Sequence, residues 1–293
     1  MNTYRVRHVT RYTYEAPVIH AHHSCHLCPR QLDAQHLVHH ELGIEPATAV
    51  THPGTDYFGN RLHLLEVLAE HQSLEVDSSS IVEITARERP RHTDSAISWN
   101  EAAEQLKSDR SLLSAVDFCF DSPLVRVHPV LAAYAEPTFR PGRGLVEAVL
   151  EFNARIHAEF TYETTATDVG TPLAHVLREK RGVCQDFAHV AVGCLRSLGL
   201  AARYVSGYLE TRPPPGKPRL VGAAASHAWA SVYVPGFGWL DFDPTNDVLP
   251  GESHVTVAWG RDFSDVSPLK GVVLGGGSHH VDVSVDVEQV SAA

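Results

Sequence analysis

The sequence lacks any long apolar run. Its most apolar region, around 187–205, is interrupted by His189, Arg196 and Arg203, whereas a membrane-spanning helix needs about 20 predominantly apolar residues. It also lacks an excess of positive charge. Lys and Arg number 24 against 35 Asp and Glu, for a formal net charge of -11 with His neutral. That balance argues against nucleic acid or an anionic membrane as a principal partner. The 20 His residues qualify it, because their protonation below about pH 6.5 would shrink the negative charge. Cysteine is scarce and odd in number: the five residues are Cys25, Cys28, Cys119, Cys184 and Cys194. Free thiols are therefore expected, not a disulfide framework. There is no internal repeat. Residues Met1 to His8 carry neither an apolar segment nor a small-residue cleavage site of the secretory kind. With no signal and no span, the expected location is cytoplasmic.

What is present is ordinary globular material. The chain has 293 residues, 43% hydrophobic and 20% charged, enough for about two domains and a sizeable core without covalent staples. Residues 1–90 read as a small β-sandwich of short strands. Thr3 to Tyr14 is rich in Tyr, Val and Thr, with Pro17 expected to end it, and further runs follow at 36–44, 62–69 and 80–87. Residues 91–140 read as a helical connector, with Ser98 and Glu101 spaced as a capping box. Residues 141–293 read as a core with C-terminal strands. Leu145, Val149, Phe152 and Ile156 form one helical stripe, and a second helix is expected at about 184–198, ended by Gly199. Strands follow at 202–209, 227–234 and 239–243, and a final one at 281–287. The Pro-rich segment 210–222 is a loop bordering the strand before His227. The fold class expected is α+β.

The chemistry centres on Cys184. It opens the second helix, where unpaired backbone N–H groups make a positive end. A thiol there ionises more easily, and the same N–H groups can hold a developing oxyanion. Cys194, in the middle of the apolar stripe, reads as a small core residue. A nucleophile needs a base and a group that orients the base. His227 opens a strand, and Asp243 ends the strand that returns from it. Alternation puts His227, Trp229, Ser231 and Tyr233 on one face. Asp243 reaches that face only if Tyr233 pairs with Trp239, which demands an odd-length connection or a bulge. Asp241 has the same strand parity and is the rival orienting acid.

These segments carry a family resemblance. Arg181-Gly182-Val183-Cys184-Gln185-Asp186-Phe187-Ala188 resembles the nucleophile segment of transglutaminase-like proteins, Ser226-His227-Ala228-Trp229 the histidine segment, and Gly238-Trp239-Leu240-Asp241-Phe242-Asp243-Pro244-Thr245 the aspartate segment. Arg203 to Tyr208 looks like bacterial members. So do Pro29-Arg30 and Tyr57 to Asn60, which resemble their N-terminal β domain, and Gly260 to Val266, which resembles a C-terminal block. The likeness covers nearly the whole chain. Ser24 to Cys28 departs from the polar and apolar alternation expected there. The resemblance implies a papain-like core and a Cys184, His227, Asp243 triad. It also implies thioester chemistry on an amide, in a peptidase or amidase more than a cross-linker, acting on a peptide or protein substrate. No cofactor or metal is required by that chemistry. Gln185, Tyr162 and Trp229 are candidates for oxyanion support or for lining the triad.

Rival readings stay open. The same cleft could serve a catalytically silent peptide-binding module. Cys25 and Cys28, with His20, His22 and His23 nearby and His39-His40 further on, could bind zinc. Their spacing on a strand, which points the two thiols to opposite faces, disfavours it. Asp186 reads as a helix N-terminal acid and His189 as a structural residue. Oligomeric state is not readable.

Overall fold

The computed structural model describes residues 1–90, 97–210 and 226–290. Residues 211–222 of the loop expected at 210–222 lie outside them. Five strands open the chain: β1 (Asn2–Cys25), β2 (Gln35–Glu45), β3 (Val50–Thr55), β4 (Arg61–Val67) and β5 (His71–Ile84). Then come α1 (Trp99–Ser108), α2 (Leu113–Val116), α3 (Pro129–Ala135), α4 (Leu145–Glu159), β6 (Thr161–Tyr162), α5 (Leu173–Glu179), β7 (Arg181–Gly182) and α6 (Cys184–Ser197). The chain closes with β8 (Ala202–Leu209), β9 (His227–Val234), β10 (Gly238–Phe242), β11 (His254–Gly260), α7 (Phe263–Val266), β12 (Leu269–Gly275) and β13 (His279–Val290). No helix among the described residues is long and apolar enough to cross a membrane.

The amino-terminal β domain is present as an antiparallel sheet, with five strands in place of the four runs expected and with β1 and β5 much longer than those runs. β1 does not end at Pro17. It continues for 24 residues, with a register shift against β5 between Thr13 and Val18. Pro17 has no N–H to give a ladder, so it sits at this irregularity without breaking the strand. Its carbonyl accepts from Gly276 N–H at 3.1 Å. The early half of β1 pairs with β5 and the late half with β4, so one strand carries both halves of the domain.

The last two strands correct the expected grouping of 141–293. β12 and β13 do not extend the core sheet; both hydrogen-bond to β1. The reason is hydrophobic. Val285 and Val287 are buried with Tyr4, Val6, Val82 and Ile84, against Tyr208, Val255 and Val257 of the core. The carboxyl terminus thus returns to cover the amino-terminal sheet where it meets the core.

The core sheet has the order β10-β9-β8-β11, and α6 packs against β9 and β8. The predicted stripe of α4 is fully buried at Leu145, Val149, Phe152 and Ile156, in one cluster with Phe187, Val190, Cys194, Val232 and Phe242. Ser98 and Glu101 form the capping box that opens α1. Gly199 follows α6 at φ +80°, a conformation that favours glycine, and closes the helix as expected.

Candidate active site

The start of α6 is built by two residues before Cys184 and one after it. Val183 is the extended N-cap, which makes Cys184 the first helical residue. Asp186, three residues into the helix, accepts from Val183 N–H at 2.8 Å and from the Thr167 hydroxyl at 2.6 Å. A Cβ on Gly182 would lie 2.4 Å from Asp186 Oδ2, so only glycine lets that carboxylate fold back over the turn. Asp186 is therefore the helix-terminal acid that its position suggested. Burial raises its pKa, against the bonds from Thr167 and Val183.

His227 and Asp243 are positioned by the β9–β10 hairpin. Tyr233 pairs with Trp239, across a three-residue connection at 235–237 in which Gly236 has φ +84°. This is the odd-length turn that the geometry demanded, and it brings Asp243 to the face of His227. His227 Nε2–H donates to Asp243 Oδ2 at 2.8 Å. Asp243 and Cys184 both act on this ring, and with Nε2 committed to Asp243 the other nitrogen, Nδ1, is left for the thiol. Burial alone would lower the His227 pKa. The bond to Asp243 and the influence of Cys184 overcome it, and the ring is pushed up to about 10.

Asp243 is fully buried and heavily ligated by donors. Its Oδ1 accepts from Thr245 N–H at 2.9 Å, an Asx turn that accounts for the Asp-Pro-Thr-Asn run. Its Oδ2 accepts from His227, from Asn246 Nδ2 at 2.7 Å and from His254 Nε2 at 3.2 Å. Burial would raise its pKa, but the bonds from His227, His254 and Asn246 hold it well below the usual carboxylate range. A thiol at a helix start, acting on an imidazole that a buried carboxylate holds in its charged form, is an arrangement for nucleophilic chemistry.

A model of the bacterial transglutaminase-like N-terminal region matches residues 4–83, and a model of the transglutaminase-like superfamily matches residues 132–244. An uncharacterized protein of Mycobacterium tuberculosis is 41% identical over 290 residues, covering 97% of this chain and 92% of that protein. The chain belongs to the transglutaminase-like superfamily. A protein-glutamine gamma-glutamyltransferase of Pseudomonas aeruginosa is 33% identical over 120 residues, 40% of this chain and 17% of that protein. The crystal structure of a proposed cysteine protease from Cytophaga hutchinsonii superposes with a TM-score of 0.79 at 19% identity, covering 100% of this chain and 92% of that one. This last likeness is one of fold.

Within this transglutaminase-like site the rival acid is accounted for. Asp241 accepts from Arg87 Nη1 at 2.5 Å and from Trp229 Nε1 at 3.2 Å, and lies 3.9 Å from Arg203. It serves two arginines and an indole, not His227. Trp229 spends its N–H on Asp241, so it offers none to an oxyanion. Its buried ring stands 6.1 Å from His227 and 5.4 Å from His254, a dry wall beside the imidazole. Tyr162 pairs with Gly182 next to the nucleophile, and its side chain is exposed. Burial and then the charge of Cys184 raise its phenol. Gln185 is half-buried at the second position of α6. His189 is buried and accepts from Phe263 N–H at 3.1 Å, a structural role.

Sequence reasoning missed Asn246 and His254. Asn246 directly follows the quoted aspartate segment, and its signal was the Asx-turn chemistry of Asp-Pro-Thr-Asn. No local sequence signal marks His254.

The amino-terminal zinc reading gains no support. Cys25 and Cys28 are buried free thiols, and burial, then Cys28, pushes Cys25 up to about 12. Among the described residues the one grouping of metal-capable donors is His227, Asp243 and His254, whose atoms lie within 4.8 Å of one another. There Asn246 Nδ2 and both ring N–H groups already converge on Asp243 Oδ2, so the cluster is a hydrogen-bond node.

Proposed function

We propose that this protein is a cysteine-dependent amide-bond enzyme that works through a thioester, with Cys184 as nucleophile, His227 as base and acid, and Asp243 as orienting acid. The observation that supports it is the 2.8 Å bond between His227 and the buried Asp243, beside a thiol at the first residue of α6 that itself raises the His227 pKa. Cys184 gives its proton to His227, and sulfur attacks the amide carbon of a peptide or protein substrate. The carbonyl electrons move to oxygen, which lies against the unpaired N–H groups of the first turn of α6. The C–N bond breaks as His227 returns the proton to the leaving amine. Water, deprotonated by His227, then attacks the thioester, freeing the acid and the thiol.

An amine in place of water would give transamidation. We place hydrolysis first: the chain has the bacterial-type N-terminal region, and the resemblance to bacterial members implies peptidase or amidase work more than cross-linking.

The test is iodoacetamide labelling against pH, resolved by Cys position, in wild type and His227→Ala, followed by a screen of fluorogenic peptide amides. Rapid labelling of Cys184 well below pH 8.5, slowed by removing His227, is expected. Labelling no faster than Cys119 and indifferent to His227 would instead favour a silent peptide-binding module.

A further inference from the structure

We propose that His254 is a positioning residue of this thiol site: a neutral imidazole that donates its Nε2–H to Asp243 and holds that carboxylate in the orientation and ionised form that His227 requires. This rests on the thiol reading above.

The geometry begins with the donor count. Asp243 Oδ2 is reached from three elements: His227 at the start of β9, Asn246 in the turn after β10, and His254 at the start of β11. A carboxylate only accepts, so the His254 nitrogen 3.2 Å away carries the proton. The other ring nitrogen, Nδ1, lies 3.2 Å from the Ser253 hydroxyl, which can donate to it. Both nitrogens are thus satisfied in the neutral ring.

The surroundings enforce neutrality. Three charged groups face His254: Asp243 from the turn after β10, His227 from β9, and Arg87 from the segment after β5. Arg87 Nη2 donates to the His254 carbonyl at 3.1 Å. Burial first, and then the cations His227 and Arg87, lower the His254 pKa against the pull of Asp243.

Neutrality matters for the job. An Arg or Lys here would satisfy Asp243 but also discharge it, weakening its hold on the His227 imidazolium. An apolar residue would leave a buried carboxylate short of a donor. A neutral imidazole orients the carboxylate and leaves its charge to His227. The ring is itself fixed edge-on to Trp229 at 5.4 Å and 86°, and the His254 N–H donates to Gly251 O at 3.1 Å. A histidine merely filling the core would need none of this convergence on the one carboxylate that serves His227.

The experiment compares Cys184 labelling against pH in wild type, His254→Phe and His254→Gln, with thermal unfolding alongside. Phe keeps the ring volume and loses the donor; Gln keeps an N–H within reach. For His254→Phe we expect labelling at pH 7 to slow about tenfold and the alkaline limb to move down by about one unit. His254→Gln should recover most of both. If His254→Phe does not fold, His254→Asn replaces it, since its shorter amide leaves the Nε2 donor position empty. A folded donor-less variant with a profile superimposable on wild type overturns the proposal. If wild-type Cys184 is not activated, the thiol reading fails first. An activated wild type with an unchanged variant sinks the role of His254 alone.

Discussion

Asp243 is the residue on which most of the site depends, because five N–H groups from four residues donate to its two oxygens. Replacing it by Asn keeps the volume but removes the charge and turns one acceptor into a donor facing other donors. Cys184 labelling at neutral pH should fall at least about tenfold. The effect on stability has a defined pH window. A carboxylate held below its ordinary value stabilises the fold above about pH 4, and that contribution fades as pH falls further. A histidine raised to about 10 contributes fully below its unfolded value of about 6.5 and loses this as pH rises through its folded one. The gap in urea midpoint between wild type and Asp243→Asn should therefore be widest between about pH 4 and 6.5 and narrow on either side. A gap independent of pH would mean that the variant acts through packing alone. At this scale Cys184, His227 and Asp243 were legible because each sits in a dense local signal. His254 was not: its partner is 11 residues back across the end of the sheet, and nothing around it in sequence marks that contact.

Elements were readable where their pattern is local. The stripe of α4, the capping box of α1 and the glycine after α6 all involve neighbours within a few residues. Pro17 misled because a proline removes one ladder donor and reads as a strand end, yet β1 absorbs it at an irregularity. The most demanding element for function is the first turn of α6. Gly182→Ala would force its Cβ into the Asp186 carboxylate, which caps Val183 and bonds Thr167. We expect a loss of about 1–3 kcal/mol in denaturant unfolding, together with slower Cys184 labelling, because the helix start and the thiol move as one unit. Loss of stability with the labelling rate intact would show that Asp186 caps the helix without setting the nucleophile.

For the whole molecule, the decisive feature is non-local. β12 and β13 add to β1 from the far end of the chain, along Thr3 to Tyr14 and Val18 to Cys25. Alternation in 281–287 announced a strand, but no sequence period states which sheet a strand joins. The pairing makes the two domains interdependent, since Val285 and Val287 fill the cluster shared by Tyr4 and Val6 of the amino-terminal sheet and by Tyr208 and Val255 of the core. Arg87 adds a polar tie from the amino-terminal side, reaching Asp241, the His254 carbonyl and the Thr256 hydroxyl. Truncation after Pro268 tests this directly. It would strip β1 of both partners on one edge, leaving a long unpaired backbone edge, and would uncover the shared cluster. The truncated chain should lose its cooperative thermal transition and bind a hydrophobic dye, and Cys184 should label like Cys119. Had the last strands been an accessory of the core, the amino-terminal sheet would survive their removal. A truncated protein that melts cooperatively near the wild-type temperature would therefore refute the interdependence.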